Sequence, residues 1–538
     1  MGGMMSLRPP RTRRRATSTR PNEDWRGLRG HERGIVGIRF YRSRRLKSIH
    51  FRWVGGKNVY FCVMGTKLGQ LAQELATQNP WWRDPRWRTR DLDLLEVENS
   101  GLSYRSGVLG DLSSGCLYLL RGPRRVGKTV AIKQLVEDLI TAGVPPTAIV
   151  RAAVDGWSAR DLRSLTQNTA LPRVPSGQPR YWLLDEVTSV TGDWATQVKW
   201  MRDNDSEFRS STVVLTSSNA TGLTEASGQL AGRRGGASNL DRTLMPMGFR
   251  TFVQQMQSPE TPLQPQLPLT GLHSPAAAAA YQDLLPRLGD MVPLWEQYLS
   301  SGGYPLAVAA AHQGRQIPGG FVEDIFNIVA NDAFVASRLG AAKEMALLER
   351  LWETISSFAN MTKVADDLDI RTDAVTRHVE YLRDSYLLWQ CPQKDGRMWA
   401  GRPKTQDKIY AVDPIVARLP HLRNAGRQDI DPTVLSEMQL GNAIRRRVVA
   451  EQPHLLSDDF LFHKRTPSRK EIDFVCDHLG GVAIEGKYTE GSWRSEAATV
   501  NASEWAGILA TRNVLDTSAG GDRAWAVPAA FLAFLLDT

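Results

Sequence analysis

The sequence predicts a mixed α/β protein built from several domains. Three observations lead to this prediction. Residues 116–120 form a short apolar strand that continues through a glycine-containing loop into an amphipathic helix. Residues 343–391 contain three helical segments followed by an apolar strand. Residues 471–490 contain two β-rich segments around a turn with paired glycines. With 538 residues, the chain is long enough for three or four domains of roughly 100 to 200 residues each.

The composition excludes several classes of protein. Apolar residues make up 42% and charged residues 23%, close to globular averages, which excludes wholesale disorder. No apolar run reaches the roughly 18 residues that a membrane-spanning helix needs, so we expect no membrane partner. The four cysteines are far apart and form no CxxC pair. This spacing argues against a disulfide framework or a zinc cluster and is typical of the reducing cytoplasm.

The net charge of +10 comes from the first part of the chain. Residues 1–63 hold 16 Lys and Arg against 3 Asp and Glu, which leaves 51 basic and 54 acidic residues in the remaining 475. We predict that residues 1–63 are a disordered basic extension. It is an arm that binds nucleic acid, a solvated tail, or an upstream extension that the cell does not translate. In the last case Met64 would be a natural translation start. The rest of the chain has no overall charge suited to phosphate backbones.

A phosphate-binding loop is predicted after the strand at 116–120. Its sequence matches GxxxxGK[ST] between an apolar strand and a helix, the context that the motif requires. Backbone N–H groups of such a loop surround phosphates, and the helix N-terminus adds its positive dipole. Lys128 is predicted to contact the β- and γ-phosphates and Thr129 to bind Mg²⁺. The predicted cofactors are therefore ATP and Mg²⁺, and the predicted binding residues are Gly122, Pro123, Arg124, Arg125, Val126, Gly127, Lys128 and Thr129.

Two further apolar strands end in polar residues that suit the same site. The strand at 181–184 ends in Asp185, predicted to hold Mg²⁺, and Glu186, predicted to orient or deprotonate the attacking water. The strand at 211–217 ends in Ser218 and Asn219. These two residues either contact the γ-phosphate or the water, or form an ordinary turn.

Arg233 follows in a Gly- and Ser-rich loop. It could complete the nucleotide site in its own chain, or reach the transition state of a neighbouring subunit as an arginine finger. The second role would require a homo-oligomer. The remaining interpretation is a solvated loop.

The order of these motifs resembles the prokaryotic AAA-type P-loop ATPases with a C-terminal domain of unknown function 4143. The resemblance covers about residues 79–538, and Thr251 stands where the family usually has a glutamate. It implies a cytosolic ATPase with a helical lid, a winged helix and a nuclease-like terminal domain. It is carried by RGPRRVGKT, YWLLDE, TSSN, AGRR, MPMGFRTF and SSGGYPLAV.

The predicted domains follow from this order. They are a basic extension (1–63), a P-loop ATPase core (64–258), a helical lid with a Pro-rich insert (259–342), a winged helix (343–425) and a nuclease-like domain (426–538). Winged helices often read DNA in the major groove. The predicted recognition helix carries three acidic residues beside three arginines and would gain little from phosphates. Both DNA reading and a structural connector remain open for this domain.

The C-terminal domain contains an acid–acid–lysine set. Asp473 lies on the first strand of a predicted hairpin, and Glu485 and Lys487 lie on the second and share a face. The set resembles the PD-(D/E)xK nucleases, in which two carboxylates bind Mg²⁺ and the lysine polarises water. The resemblance implies metal-binding roles for Asp473 and Glu485 and catalytic roles for all three residues. Gly441 stands where such proteins usually carry a helical glutamate, and Glu437 is the candidate substitute.

Two functions remain open from the sequence. In the first, an Mg²⁺-dependent ATPase couples its nucleotide state to the nuclease-like domain and to cleavage of DNA or RNA. In the second, the chain is a nucleotide switch whose C-terminal domain is a catalytically inactive binding module. A closely spaced Asp473, Glu485 and Lys487 would favour the first, and the glycine at 441 favours the second.

Overall fold

The computed structural model describes residues 67–538, except for 168–170, 176–177, 219, 258–263, 333–340, 453–459, 467–469 and 519–523. The chain divides into two compact units, Met1–Leu71 and Ala72–Thr538. The predicted basic extension, residues 1–63, lies outside the described residues. In the described part of the chain, no helix combines the length and the apolar character needed to cross a bilayer.

A sheet of five parallel strands forms the centre of the first half of the second unit. Its strands stand in the order β2-β3-β4-β1-β5. Every residue of β1 and β4 is buried, as expected for parallel strands covered by helices on both faces. The strands are β1 (Leu117–Arg121), β2 (Ile149–Ala153), β3 (Tyr181–Asp185), β4 (Thr212–Ser217) and β5 (Asp241–Thr243).

The α-helices that the structure describes in this part of the chain alternate with the strands. They are α1 (Lys67–Gln78), α2 (Leu92–Asn99), α3 (Lys128–Thr141), α4 (Ala159–Arg163), α5 (Trp194–Asn204), α6 (Ser206–Ser210), α7 (Ala220–Gln229) and α8 (Phe249–Met256). The alternation of strands and helices explains why the sheet is parallel. Each connecting segment returns the chain to the end of the sheet at which the strands begin, so that successive strands run in the same direction. This arrangement brings the carboxyl ends of β1, β3 and β4 together.

A helical region follows and leads into a short hairpin. Its helices are α9 (Pro275–Leu284), α10 (Leu288–Ser301), α11 (Pro305–His312), α12 (Gly319–Asn327), α13 (Ala341–Trp352), α14 (Met361–Asp367) and α15 (Thr372–Asp384). The antiparallel hairpin consists of β6 (Leu388–Cys391) and β7 (Lys408–Ala411). Three helices before a two-stranded sheet is the order that a winged helix requires, and that assignment stays a prediction.

A second, mixed sheet lies in the last hundred residues. Its order is β12-β11-β10-β9-β8, with β10, β11 and β12 parallel and β8 and β9 antiparallel to their neighbours. The strands are β8 (Phe462–Arg465), β9 (Glu471–Val475), β10 (Val482–Gly486), β11 (Ala506–Thr511) and β12 (Ala524–Pro528). The helices are α16 (Pro414–Arg423), α17 (Pro432–Glu451), α18 (Ala498–Asn501) and α19 (Ala529–Leu536).

Two of the sequence motifs contact each other in the folded chain. The N–H of Met247 donates to the carbonyl of Gly303 at 2.8 Å, and the N–H of Gly303 donates to the Asp413 carboxylate at 2.7 Å. Gly302 has a φ of +70°, and a Cβ there would lie 2.2 Å from Oδ1 of Asp413. The paired glycines are therefore needed for close approach of the backbone to a buried carboxylate.

The C-terminus is fixed by a second buried carboxylate, that of Asp537. It accepts hydrogen bonds from the N–H of Phe249 at 2.9 Å and from Nε and Nη2 of Arg446 at 2.8 and 2.6 Å. The hydroxyl of Thr251 donates to the carbonyl of Thr538 at 3.1 Å. Thr251 therefore lies against the last residue of the chain.

The Arg446–Asp537 pair yields a prediction on stability. Arg446→Ala leaves Asp537 as an uncompensated buried charge, which lowers the free energy of unfolding by about 3 to 5 kcal/mol. Chemical denaturation of both proteins measures the difference. The matched control is Arg447→Ala, whose ion pair with the exposed Glu451 is worth less than about 1 kcal/mol. Equal losses in the two variants would contradict the prediction.

Asp413 yields a prediction on pH dependence. Burial raises the pKa of Asp413 to about 6, above the value of about 3.9 expected in the unfolded chain. The folded state therefore binds more protons between these values, and the contribution of Asp413 to stability decreases as pH rises through this window. We expect the stability of the wild type relative to Asp413→Asn to fall by up to about 3 kcal/mol between about pH 4 and pH 7. Urea unfolding at several pH values measures this difference, and a constant value would disprove the assignment.

Candidate functional site

The predicted phosphate-binding loop connects β1 to α3. Gly122 has a φ of +146°, and a Cβ there would lie 2.0 Å from the carbonyl oxygen of Leu244, so only glycine fits. Lys128 is buried, and its Nζ donates to the carbonyls of Gly122 at 2.9 Å and Pro123 at 3.0 Å. Burial lowers the pKa of Lys128, and the neighbouring Glu186 carboxylate opposes that shift. The ammonium is therefore held inside the loop, close to where phosphates would bind.

The two predicted magnesium ligands of this site contact each other. The hydroxyl of Thr129 donates to Oδ2 of Asp185 at 3.0 Å. Asp185 also accepts from the hydroxyl of Thr216 at 2.6 Å and from Arg151 at 2.9 Å. A hydroxyl and a carboxylate are oxygen ligands of the kind that Mg²⁺ prefers, so these residues fit the ion.

Glu186 adopts an unusual backbone conformation beside this pair. Its φ is +59°, in the left-handed region, and its N–H donates to the hydroxyl of Thr216 at 3.0 Å. Oε2 of Glu186 accepts from both the N–H and the hydroxyl of Ser218 at 3.2 Å. Because β4 lies between β1 and β3, the end of β4 brings Ser218 between the loop and the acid pair. Asn219 lies outside the described residues, and its role stays a prediction.

A cavity of about 400 Å³ lies beside the loop. Its lining includes Arg125, Val126, Gly127, Lys128 and Thr129 of the loop and the following helix. It also includes apolar side chains, among them Leu102, Leu306, Ala309 and Phe321. A cavity that combines apolar side chains with a few polar groups has the character of a ligand-binding site.

One loop arginine connects the cavity to the helical region. Nη2 of Arg125 lies 2.5 Å from Oδ2 of Asp324, on α12. Phe321, on the same helix, lines the cavity. The helical region therefore contributes to the cavity wall beside the phosphate-binding loop.

Arg233 is far from this site within its own chain. The adjacent Arg234 carbonyl accepts from the N–H of Leu117, at the start of β1, whereas the phosphate-binding loop follows the end of β1. Nε of Arg233 pairs with Asp203 at 2.7 Å. Because the two ends of a strand lie at opposite edges of the sheet, Arg233 does not complete the nucleotide site of its own chain. The role in a neighbouring subunit stays a prediction.

The second sheet brings the acid–acid–lysine set together. The N–H of Asp473 donates to Oε2 of Glu485 at 3.0 Å, and Nζ of Lys487 lies 2.9 Å from Oε1 of Glu485. The N–H of Gly486 donates to Oδ2 of Asp473 at 2.8 Å. Burial, together with the charge of Asp473, raises the pKa of Glu485. The close spacing predicted from the hairpin is present.

Lys408, which belongs to none of the sequence motifs, lies in the middle of this set. Its Nζ is 2.9 Å from Oδ1 of Asp473 and 3.0 Å from Oε1 of Glu437, and it also contacts Glu471. Burial by itself lowers the pKa of Lys408, and the surrounding carboxylates raise it above its ordinary value. No local pattern indicates this residue, because it belongs to β7, 65 positions before Asp473. Only the packing of the hairpin on the sheet brings it there.

The glycine at 441 has a steric explanation. A Cβ at this position would lie 2.8 Å from the ring of Phe474 and 2.9 Å from that of Trp389. A glutamate side chain therefore cannot occupy the position. Glu437, one turn earlier on α17, lies close to the set instead and accepts from the hydroxyl of Tyr410 at 2.7 Å.

Comparison with known proteins gives two family matches. Residues 115–253 match the AAA_14 model, described as an AAA domain, and residues 292–427 match a domain of unknown function, DUF8612. Comparison with curated proteins gives no match. The segment 115–253 is an AAA-type P-loop domain, a class that binds and hydrolyses ATP. This confirms the predicted P-loop core of the fold class.

The second family match differs from the resemblance drawn from the motifs. The matching model over residues 292–427 is DUF8612 rather than the domain of unknown function 4143. It extends across the predicted boundary between the helical lid and the winged helix at 342–343. The lid, the winged helix and the nuclease-like domain stay predictions.

Several solved structures are similar to the chain at a low level. The Aeropyrum pernix ORC2 protein, solved as ADPNP–ADP complexes, is 12% identical with a TM-score of 0.30, covering 62% of this chain and 94% of its own. A Walker-type ATPase of Pyrococcus abyssi is 13% identical with a TM-score of 0.30, covering 57% and 91%. A RuvB variant of Thermotoga maritima is 14% identical with a TM-score of 0.22, covering 55% and 87%.

The contact between Ser218 and Glu186 yields a prediction on catalysis. Ser218→Ala removes a side-chain hydrogen bond that orients the Glu186 carboxylate, so we expect kcat for ATP hydrolysis to fall roughly 10-fold to 100-fold. The affinity for ATP should change less than kcat, because Lys128 is unaltered and the loop loses one long hydrogen bond, from Nε of Arg124 to the Ser218 hydroxyl at 3.4 Å. Steady-state hydrolysis and equilibrium nucleotide binding measure the two quantities. Ser210→Ala, at an exposed serine of the same domain, is the control. Unchanged hydrolysis in Ser218→Ala would remove Ser218 from the site.

Proposed function

We propose that the protein is an Mg²⁺-dependent ATPase that acts as a nucleotide switch, with a C-terminal domain that binds a partner without cleaving it. One observation carries the ATPase part: Thr129 and Asp185 contact each other beside Lys128 and Glu186 at one edge of the sheet. These four residues supply the phosphate, metal and water contacts that ATP hydrolysis requires.

Each residue has a distinct role in this proposal. Lys128 exchanges its bonds to the loop carbonyls for the β- and γ-phosphates when ATP binds. Thr129 and Asp185 hold Mg²⁺, which neutralises charge on the phosphates when it is bound. Glu186 orients or deprotonates the attacking water, and Ser218 keeps its carboxylate in place.

A chain of contacts supports coupling between the nucleotide site and the rest of the chain. Arg125, in the phosphate-binding loop, pairs with Asp324 on α12. Glu323, on the same helix, pairs with Arg423 at the end of α16. Asp413, at the start of α16, binds Gly303, which in turn binds Met247 next to α8. If Arg125 changes position when ATP binds, its ion pair with Asp324 changes as well. Because α12 carries Asp324 and also pairs with α16, this change would act on both halves of the chain.

The second candidate function is ATP-gated cleavage of DNA or RNA. The short distances among Asp473, Glu485 and Lys487 favour it. The ammonium of Lys408 among the same carboxylates argues against it, because a divalent ion needs those oxygens. We therefore rank cleavage second, and we propose a cytoplasmic protein whose macromolecular partner is a nucleic acid or another copy of this chain.

Two variants of the nucleotide site test the proposed ATPase. Lys128→Ala should weaken ATP binding and reduce hydrolysis by roughly 100-fold or more, because the phosphates lose their lysine. Glu186→Gln should retain ATP binding and lose hydrolysis to a similar extent, because the amide cannot accept a proton from water. Isothermal titration with ATP and Mg²⁺, together with phosphate release, measures both. Normal hydrolysis by Lys128→Ala would disprove the assignment.

A cleavage assay tests the proposed inactivity of the C-terminal domain. Single- and double-stranded DNA and RNA are incubated with the wild type and with Asp473→Asn, with Mg²⁺ or Mn²⁺, in the presence and absence of ATP. We expect no cleavage that depends on Asp473. Cleavage by the wild type that Asp473→Asn abolishes would establish the second candidate function instead.

A further inference from the structure

A buried lysine occupies the centre of the acidic set in the C-terminal domain. Lys408 is 4% exposed, and its ammonium contacts three carboxylates from two elements: Glu437 of α17, and Glu471 and Asp473 of β9. Its strand is held in place by pairing with β6 and by stacking of Tyr410 on Trp389 at 4.6 Å. The ammonium is therefore part of a rigid, packed hairpin.

The charges of this set explain why a cation is needed. A buried carboxylate without a partner is strongly destabilising, and here several lie within a few ångströms of one another. Lys408 contributes the positive charge on one side of Asp473, and Lys487 contributes another beside Glu485. Removal of Lys408 would leave Glu437, Glu471 and Asp473 facing one another without that charge.

The oxygens that a metal ion would use already accept hydrogen bonds. Asp473 accepts from Lys408 through Oδ1 and from the N–H of Gly486 through Oδ2. Glu485 binds Lys487 through Oε1 and accepts from the N–H of Asp473 through Oε2. Among the described residues, no group of three or more acidic, histidine or cysteine side chains has an arrangement that could hold a metal. The predicted metal-binding role of Asp473 and Glu485 does not fit this geometry.

We propose that the ammonium of Lys408 takes the place of a divalent cation in the C-terminal domain, where it holds the carboxylates together and excludes a metal ion. The acidic set then has a structural role, and the domain binds its partner without metal. This inference concerns residues outside the nucleotide site, so its test is independent of the tests of the proposed ATPase.

Titration of full-length, nucleotide-free protein with Mn²⁺ tests the proposal. The wild type should show no Mn²⁺ binding that Asp473→Asn abolishes. Lys408→Met removes the ammonium group while keeping an unbranched side chain that is one heavy atom shorter, so it should gain a site at least about tenfold tighter than any in the wild type. The double variant Lys408→Met with Asp473→Asn should lose that site. Lys404→Met, at an exposed lysine of the same hairpin loop, should behave as the wild type.

Thermal unfolding with and without Mn²⁺ provides a second readout. Lys408→Met should have a lower Tm than the wild type, and Mn²⁺ should restore it, because the metal replaces the missing charge. A folded Lys408→Met that gains no site dependent on Asp473 overturns the proposal. If Lys408→Met does not fold, the comparison of the wild type with Asp473→Asn still tests the proposal. Mn²⁺ binding by the wild type that Asp473→Asn abolishes overturns the proposal. Phosphate release from ATP, measured on the same samples, reports on the nucleotide site independently.

Discussion

The carboxylate of Asp537 is the constraint on which the arrangement of the domains depends. It is fully buried, and burial of a charge is tolerable only with close partners, which here are Arg446 and the N–H of Phe249. These partners belong to α17 in the C-terminal half and to α8 next to the ATPase sheet. The preceding helix, α19, is apolar and buried along its whole length. The end of the chain therefore packs between the two halves, where Arg446 and the N–H of Phe249 compensate the charge of Asp537.

The chain contains two acidic sites whose surroundings lead to opposite chemistry. At the first, Glu186 remains partly exposed, with 28% of its side chain accessible, and it lines a cavity that ends at the phosphate-binding loop. At the second, Glu485 and Asp473 are about 5% exposed, and neighbouring N–H groups and lysines use their oxygens. The partial exposure of Glu186 beside a cavity allows a substrate to approach the first site, whereas burial with two internal lysines favours a structural role for the second.

The P-loop core could be predicted because its signals are local. The glycine spacing, Lys128, Thr129 and the acid pair each follow an apolar strand, and parallel strands bring such ends to one edge. Arg233 could not be assigned in the same way. Its loop has no periodicity, and only the position of Leu117 shows that it lies at the other end of β1. The meaning of the glycine at 441 also required the packed rings of Phe474 and Trp389.

The sequence by itself determined the order of the elements and the chemistry of the nucleotide site, because strand and helix periodicity and the loop glycines act over short distances along the chain. The close spacing of Asp473, Glu485 and Lys487 was also accessible, since one hairpin brings them together. Only the tertiary structure decided what this set can do. Lys408 comes from a separate hairpin, and its partner Glu437 from a helix, so neither is a neighbour of Asp473 in the sequence. Long-range packing places a cation among the carboxylates, and charge compensation in a buried environment then determines their role.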